Sequence, residues 1–247
     1  MGYLQGIDMA SEQLKGGAPK RFYKAVAVKD GAAGFGIVLD GRSVHTPLKS
    51  ILSLPTRSLA EAIAEEWDAQ LEIIDIAKMP MAGFANAAID RVAQNRAGFV
   101  SEITSYGEAD LLCYRADDPA ALVERQEEIW QPHLDWLALE KGVWLKTTSG
   151  IVHVKQEEKE LKKVRAIVDD RDDFGLTALH AMTTGSCSVI LALAVADGEL
   201  NAQEASIASE LDALFQAERW GEDPLAVERR SRLLDEFMQA ERFLGLL

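Results

Sequence analysis

The spacing of apolar residues along the chain changes character more than once, and each change marks an element boundary. Residues 24–28, 35–39 and 43–46 form short alternating or β-branched runs broken by glycines. A period of two puts successive side chains on opposite faces, so this spacing predicts three strands joined by hairpin turns at Asp30-Gly31 and Asp40-Gly41. In "LPTRSLAEAIAEEWDAQLEII" the period lengthens. Leu59, Ile63 and Trp67 recur every fourth residue, as on an amphipathic helix, with Ser58 and Glu61 placed as a capping box. Met79-Pro80 punctuates, and beyond Gly83 helical spacing dominates over 86–106, 119–140, 156–168, 176–196, 202–220 and 226–244. Two apolar runs interrupt it, 110–115 and 143–154, and the second alternates about Ser149-Gly150, which predicts a hairpin. The expected fold is α+β. A flexible tail over 1–20 precedes a small β-rich N-terminal domain over 21–82 and a larger, mostly α-helical domain over 83–247.

The chain has 247 residues, 48% of them hydrophobic, which is enough apolar surface for a real core and argues against disorder. Twenty-six Lys and Arg face 40 Asp and Glu, a formal charge of -14. Nucleic acid is therefore not expected as a partner, because phosphate binding needs clustered cations. Residues 175–197 carry no Lys, Arg or Glu, but Thr177, His180, Thr183, Thr184, Ser186 and Ser188 dilute the first half. A spanning helix needs roughly 20 predominantly apolar residues, so a buried helix and no membrane insertion are expected. The N-terminus lacks the apolar core of a secretory signal and the Arg-rich pattern of a transit peptide. Cys113 and Cys187 match no metal or redox spacing and are expected as unpaired, buried thiols in a reducing compartment.

Candidate chemistry is sparse. The glycines of "GAAGFG" precede a strand, whereas a phosphate-cradling loop needs them between strand and helix. "TTGSCS" lies within an apolar helical pattern and lacks the nucleophile elbow. His45, His133, His153 and His180 share no helical ligand spacing, so no metal and no cofactor are expected. Glu65, Glu66 and Asp68 read as a solvated face beside a core Trp67, and Asp90-Arg91 reads as a structural brace. No carboxylate stands in an apolar setting that would split a pair of pKa values, and no catalytic residue is assigned.

Trp220 is the exception to this plain pattern. On a wheel of about 100° per residue, Ile207, Ala208, Leu211, Leu214 and Phe215 make one stripe, while Ala205, Ser209, Asp212, Gln216 and Trp220 fall nearly opposite. The ring therefore makes a second packing contact, folds back from a frayed turn, or belongs to a recognition face. Gly221 can cap this helix and Pro224 prevents its continuation.

Taken in order, "LDGRSVHTP", "LPTRSLAEAIAEEWDAQ", "MP" followed by "AAIDRV", "EADLLCYRA", "ERQEEIWQPHLDW" and "FQAERWGED" resemble the F-type ATP synthase assembly chaperones of the ATP-twelve type. The resemblance runs from about Arg21 to about Arg230. It implies a non-enzymatic chaperone that binds the free alpha subunit of the catalytic head and prevents its aggregation until beta subunits replace it. It further implies a β-rich domain joined to a helical one, agreeing with the periodicity. Gln216 and Trp220-Gly221 match its Q-x-x-x-W-G motif, with Asp212 as the preceding acid, so the expected partner-binding residues are Asp212, Gln216, Glu218, Trp220 and Glu222. A monomer is expected, in the bacterial cytoplasm, or in the mitochondrial matrix if this is a mature organellar chain. Competing readings are a small-molecule enzyme with a carboxylate site in the inter-domain cleft, and a constitutive subunit of a larger complex. Truncating Trp220 or Asp212 is expected to weaken capture without loss of stability, and Trp67→Ala to cost roughly 3–5 kcal/mol as a core aromatic.

Overall fold

The computed structural model describes residues 19–32, 34–150 and 152–247. The expected tail over 1–20 lies almost wholly outside them. The chain divides into two compact units. The first runs through Arg96 and is completed by Asp173–Ala178 and Arg242–Leu247; the second comprises Ala97–Asp172 and Leu179–Glu241.

The first unit opens with an antiparallel meander of β1 (Val26–Gly31), β2 (Gly34–Leu39) and β3 (Arg42–Ser43). The expected turn at Asp40-Gly41 forms, both residues taking positive φ (49° and 79°). Asp30-Gly31 does not turn: β1 continues through Gly31, which pairs with Gly34. Gly34 (φ 129°) cannot be replaced cheaply, because a Cβ there would lie 2.3 Å from the Leu54 carbonyl oxygen. Helix α1 (Arg57–Asp68) follows, and its cap is Thr56, which accepts from Leu59 N, not the expected Ser58-Glu61 box. Ser58 lies inside the helix, where its hydroxyl cannot reach the first-turn amides. Leu59 and Ile63 are fully buried, with Ile37, Leu54 and Met81.

Helix α2 (Pro80–Ala87) starts on Pro80 and passes into a π-helical stretch at Ala88–Val92. The continuous helix expected from residue 86 is thus interrupted before α3 (Arg96–Tyr106). Asp90, in the π stretch, accepts from Thr46 Oγ1 (2.6 Å) and Leu48 N (2.9 Å), so the expected brace anchors the 46–50 turn. The end of the chain closes this unit: Phe243 stacks on Phe84 (5.1 Å between centroids) and near Phe174 (6.3 Å), and Thr56 Oγ1 donates to Leu246 O.

The second unit is mostly helical. Its elements are the rest of α3, β4 (Tyr114–Arg115), α4 (Ala120–Lys141), β5 (Thr148–Ser149) and α5 (Glu158–Asp169). The later part of α6 (Asp173–Ser186) follows, then α7 (Val189–Ala196), α8 (Ala202–Ser209), α9 (Leu211–Trp220) and most of α10 (Pro224–Gly245). α7 is buried through Val195, which accounts for its unbroken apolar sequence. The single helix expected over 176–196 is broken at Cys187 (φ 57°), and Ser188 caps α7 by accepting from Leu191 N. The expected hairpin over 143–154 is not formed among the described residues. β5 pairs in parallel with β4, and the Gln156 amide replaces a ladder by accepting from Lys146 N and donating to Lys146 O (both 2.8 Å). The expected burial of both thiols is half right: Cys113 is buried and Cys187 exposed.

Candidate functional site

The helix expected over 202–220 is two helices, because Glu210 (φ -102°, ψ 12°) breaks the turn between α8 and α9. A wheel drawn across that break misplaces two residues of α8: Ala205 is buried and Ile207 is 46% exposed, the reverse of the expectation, while Ala208 is buried as expected. Within α9 the assignment holds for Leu211, Phe215, Gln216 and Trp220, while Asp212 and Leu214 are both half-buried. Leu211 and Phe215 are buried, and the Phe215 ring lies against the guanidiniums of Arg125 (5.3 Å) and Arg219 (4.2 Å). On the other side Gln216 is exposed, and Trp220 is 79% exposed at the last helical position.

The geometry of the corner follows from local chemistry. Gly221 takes φ 92° and ψ 164°, which stops α9 immediately after the tryptophan. Pro224 does more than block continuation: it opens α10, whose first turn donates from Leu225 N (3.4 Å) and Ala226 N (3.2 Å) to the Asp223 carboxylate. Leu225, five residues after Trp220, is 74% exposed, and Val227 is 44% exposed. Sequence reasoning missed both because Pro224 read as a terminator.

The expected partner-binding carboxylates differ in their roles. Glu218 accepts two bonds from Arg125 (2.8 and 3.0 Å), which holds its carboxyl below the usual range. Glu222 pairs with Arg230. Asp212 is half-buried and accepts from Gln126 Nε2 (2.7 Å), while Gln126 Oε1 accepts from Ala116 N (2.7 Å). Gln126 is 1% exposed, and its carbonyl accepts from Arg115 (2.8 Å), whose guanidinium lies over Trp130. Asp212 thus belongs to an internal polar network, whereas Gln216, Glu218, Trp220 and Glu222 are exposed. Arg125 lies far from Glu218 in sequence, so no local pattern could have named it, whereas Arg230, in α10, is only eight residues from Glu222.

Two carboxylates correct the expectation that none is buried in an apolar setting. Glu66, read as solvated, is 8% exposed; burial pushes its pKa to about 7, although it accepts from Met81 N (2.7 Å) and Ala82 N (2.8 Å) at the start of α2. Asp110 is fully buried and pushed to about 6, accepting from Ser188 Oγ (2.8 Å), Leu112 N (3.1 Å) and Ile190 N (3.2 Å). Each carboxylate holds the chain's own helix starts. Trp67, expected in the core, is half-buried and meets Tyr23 edge-on at 5.7 Å. Its truncation therefore costs less than that of a fully buried ring.

The model of a family described as ATP12 chaperone protein matches residues 20–138. The crystal structure of Atp12 from Paracoccus denitrificans is 44% identical in sequence and superposes with a TM-score of 0.90, over 92% of this chain and 97% of that one. The chain belongs to the ATP12 chaperone family. A solved structure from Agrobacterium tumefaciens is 40% identical, with a TM-score of 0.89 over 97% of this chain and 90% of that one. The mitochondrial protein atp12 of Schizosaccharomyces pombe is 26% identical over 226 residues, 86% of this chain and 77% of that protein. In this ATP12 family chaperone no helix among the described residues is long and apolar enough to cross a membrane.

Proposed function

We propose that this ATP12 family chaperone assists assembly of the F-type ATP synthase catalytic head by binding the free alpha subunit until beta subunits displace it. The observation that carries the reading is Trp220: a large ring 79% exposed, held at the end of α9 by Gly221 and framed by paired carboxylates. An unassembled subunit exposes apolar surface that its neighbour should cover, and such surface is an aggregation liability. A temporary cap needs an aromatic anchor for burial and a charged rim for orientation and speed. Trp220 and Leu225 supply the first; Glu218 and Glu222, immobilised by Arg125 and Arg230, supply the second. Asp212 supports the face from beneath through Gln126, and Gln216 offers an outward amide. Release is by competition with beta. The protein acts as a monomer, in the cytoplasm of a bacterium or the matrix of a mitochondrion.

Co-expression with an isolated alpha subunit tests this. The expected result is a higher soluble yield of alpha and co-purification of the two chains, with free beta subunit dissociating the complex. Alpha that stays insoluble, with no complex recovered, removes the proposal.

A further inference from the structure

The chain's charge is unevenly distributed. Residues 141–165 hold seven Lys and Arg against three Glu, a net +4, while the remainder carries 19 cations against 37 carboxylates. This stretch lies wholly within the second unit. It contains the loop after α4, closed at its base by the Lys146 and Gln156 bonds, and most of α5.

Three of the seven cations are neutralised by ion pairs. Lys146 pairs with Glu157, Lys163 bonds Glu160 (3.0 Å) and Gly142 O (2.6 Å), and Lys141 pairs with Asp197 (2.6 Å). Lys159 reaches only 4.0 Å from Glu160, a buried carboxylate already bound by Trp144 N (2.8 Å) and Lys163. Lys155, Lys162 and Arg165 are exposed and make no ion pair among the described residues. Glu158, one turn from Lys162, does not pair with it. Lys159, Lys162 and Lys163 share one face of α5 at three- and four-residue spacing, an arrangement in which like charges repel.

Shape and apolar exposure accompany the charge. Lys146, Lys155 and Lys159 line an open concavity of about 500 Å³ with Gln156, Glu157 and Glu158. Trp144 is 62% exposed and Val152 69% exposed on the same loop. The main chain of 152–155 makes no hydrogen bond among the described residues, so its donors and acceptors are open to a partner strand.

We propose that this loop and the outer face of α5 dock an acidic stretch of polypeptide that also carries apolar side chains. Its carboxylates would meet Lys155, Lys162 and Arg165, and its apolar groups Trp144 and Val152. A flat bilayer cannot enter the concavity. Glu157 and Glu158 within it, and the strongly acidic remainder of the chain, oppose a continuous surface of lipid headgroups or duplex phosphates. Discrete carboxylates on a narrow chain avoid both obstacles. The inference does not depend on the role assigned to Trp220.

The test uses the full chain and a fluorescein-labelled peptide of repeating Glu-Glu-Leu, with a Lys-Lys-Leu peptide as control, followed by anisotropy. The expected result is binding of the acidic peptide alone, weakening with added salt. The Lys155→Glu, Lys162→Glu, Arg165→Glu triple variant should bind about tenfold or more weakly, the sum of three exposed charge contacts. The corresponding triple alanine variant should fall between it and the unaltered chain, with both variants keeping the parent melting temperature. Trp220→Ala should leave peptide binding unchanged. Absence of binding overturns the proposal, as does a triple reversal variant that is folded and binds equally well. Tighter binding to phosphatidylserine vesicles or duplex DNA than to the peptide overturns it in favour of those surfaces.

Discussion

Trp220 and Asp212 share a helix face, yet their substitutions should act differently. Trp220 has little to lose on truncation, being 79% exposed, so Trp220→Ala should leave the melting temperature within about a degree or two. It should nevertheless weaken capture of the alpha subunit by about 2 kcal/mol, as for an aromatic anchor. Asp212→Ala removes the acceptor of a Gln126 amide that is 1% exposed, and it should destabilise by about 1–2 kcal/mol. Thermal melts beside a co-purification titration separate the two. A matching loss of stability in both variants would place Trp220 in the core. The sequence expectation of unchanged stability for both treated a shared face as a shared environment. Side-chain partners contributed by α4 decide otherwise.

At the scale of elements, the decisive groups are the carboxylates that start helices. Glu66 accepts from two amides at the beginning of α2, and its pKa is nonetheless raised to about 7 by burial. A group with a raised folded-state pKa contributes stability that is complete below its unfolded value and lost as pH rises through the folded one. The stability of the native protein should therefore fall relative to Glu66→Gln between about pH 5 and pH 8, by about 1–3 kcal/mol. Parallel denaturant titrations across that range check it. A native protein that gains on the variant with rising pH would show that the two amides, with the positive charge of Arg242 that also favours the Glu66 carboxylate, outweigh burial. Most helices were legible from periodicity, but α2 was not, because Met79-Pro80 read as punctuation ahead of a helix from residue 86. Breaks at Cys187 and Glu210 were not, since neither residue is a helix breaker by type; the Cys187 carbonyl accepts from Leu111 N (3.1 Å) and the Glu210 carboxylate from Arg229 (2.6 Å).

The whole molecule shows two further features that no local window contains. The last six residues return to the first unit, where Phe243 stacks on Phe84 and Leu246 O receives the Thr56 hydroxyl. Deleting 242–247 should destabilise that unit by about 3–5 kcal/mol, the cost of losing a buried aromatic. A loss of cooperativity in chemical denaturation would report it, and an unchanged midpoint would exclude the packing role. The second feature is charge. With a net -14 and a carboxylate rim around Trp220, capture of the alpha subunit should be steered electrostatically. Raising salt from roughly 50 to 500 mM should slow association about tenfold while changing dissociation less than about twofold. Stopped-flow mixing at several salt concentrations checks this, and a salt-independent association rate would remove charge from the account.

Composition and periodicity determined the α+β class, the meander, the approximate placement of most helices, and the position of Trp220 off the apolar stripe of its helix; its exposure was decided by the structure. These depend on local spacing, which the chain carries wherever it is read. The burial of Glu66 and Asp110, the parallel pairing that replaced a hairpin, and the roles of Asp212 and Glu218 depend on partners far away in sequence. Only the tertiary structure decided them, because a charge or an amide acquires its energetic meaning from the groups brought against it. The same holds for Lys155, Lys162 and Arg165: their abundance was visible in the sequence, and their lack of partners was not.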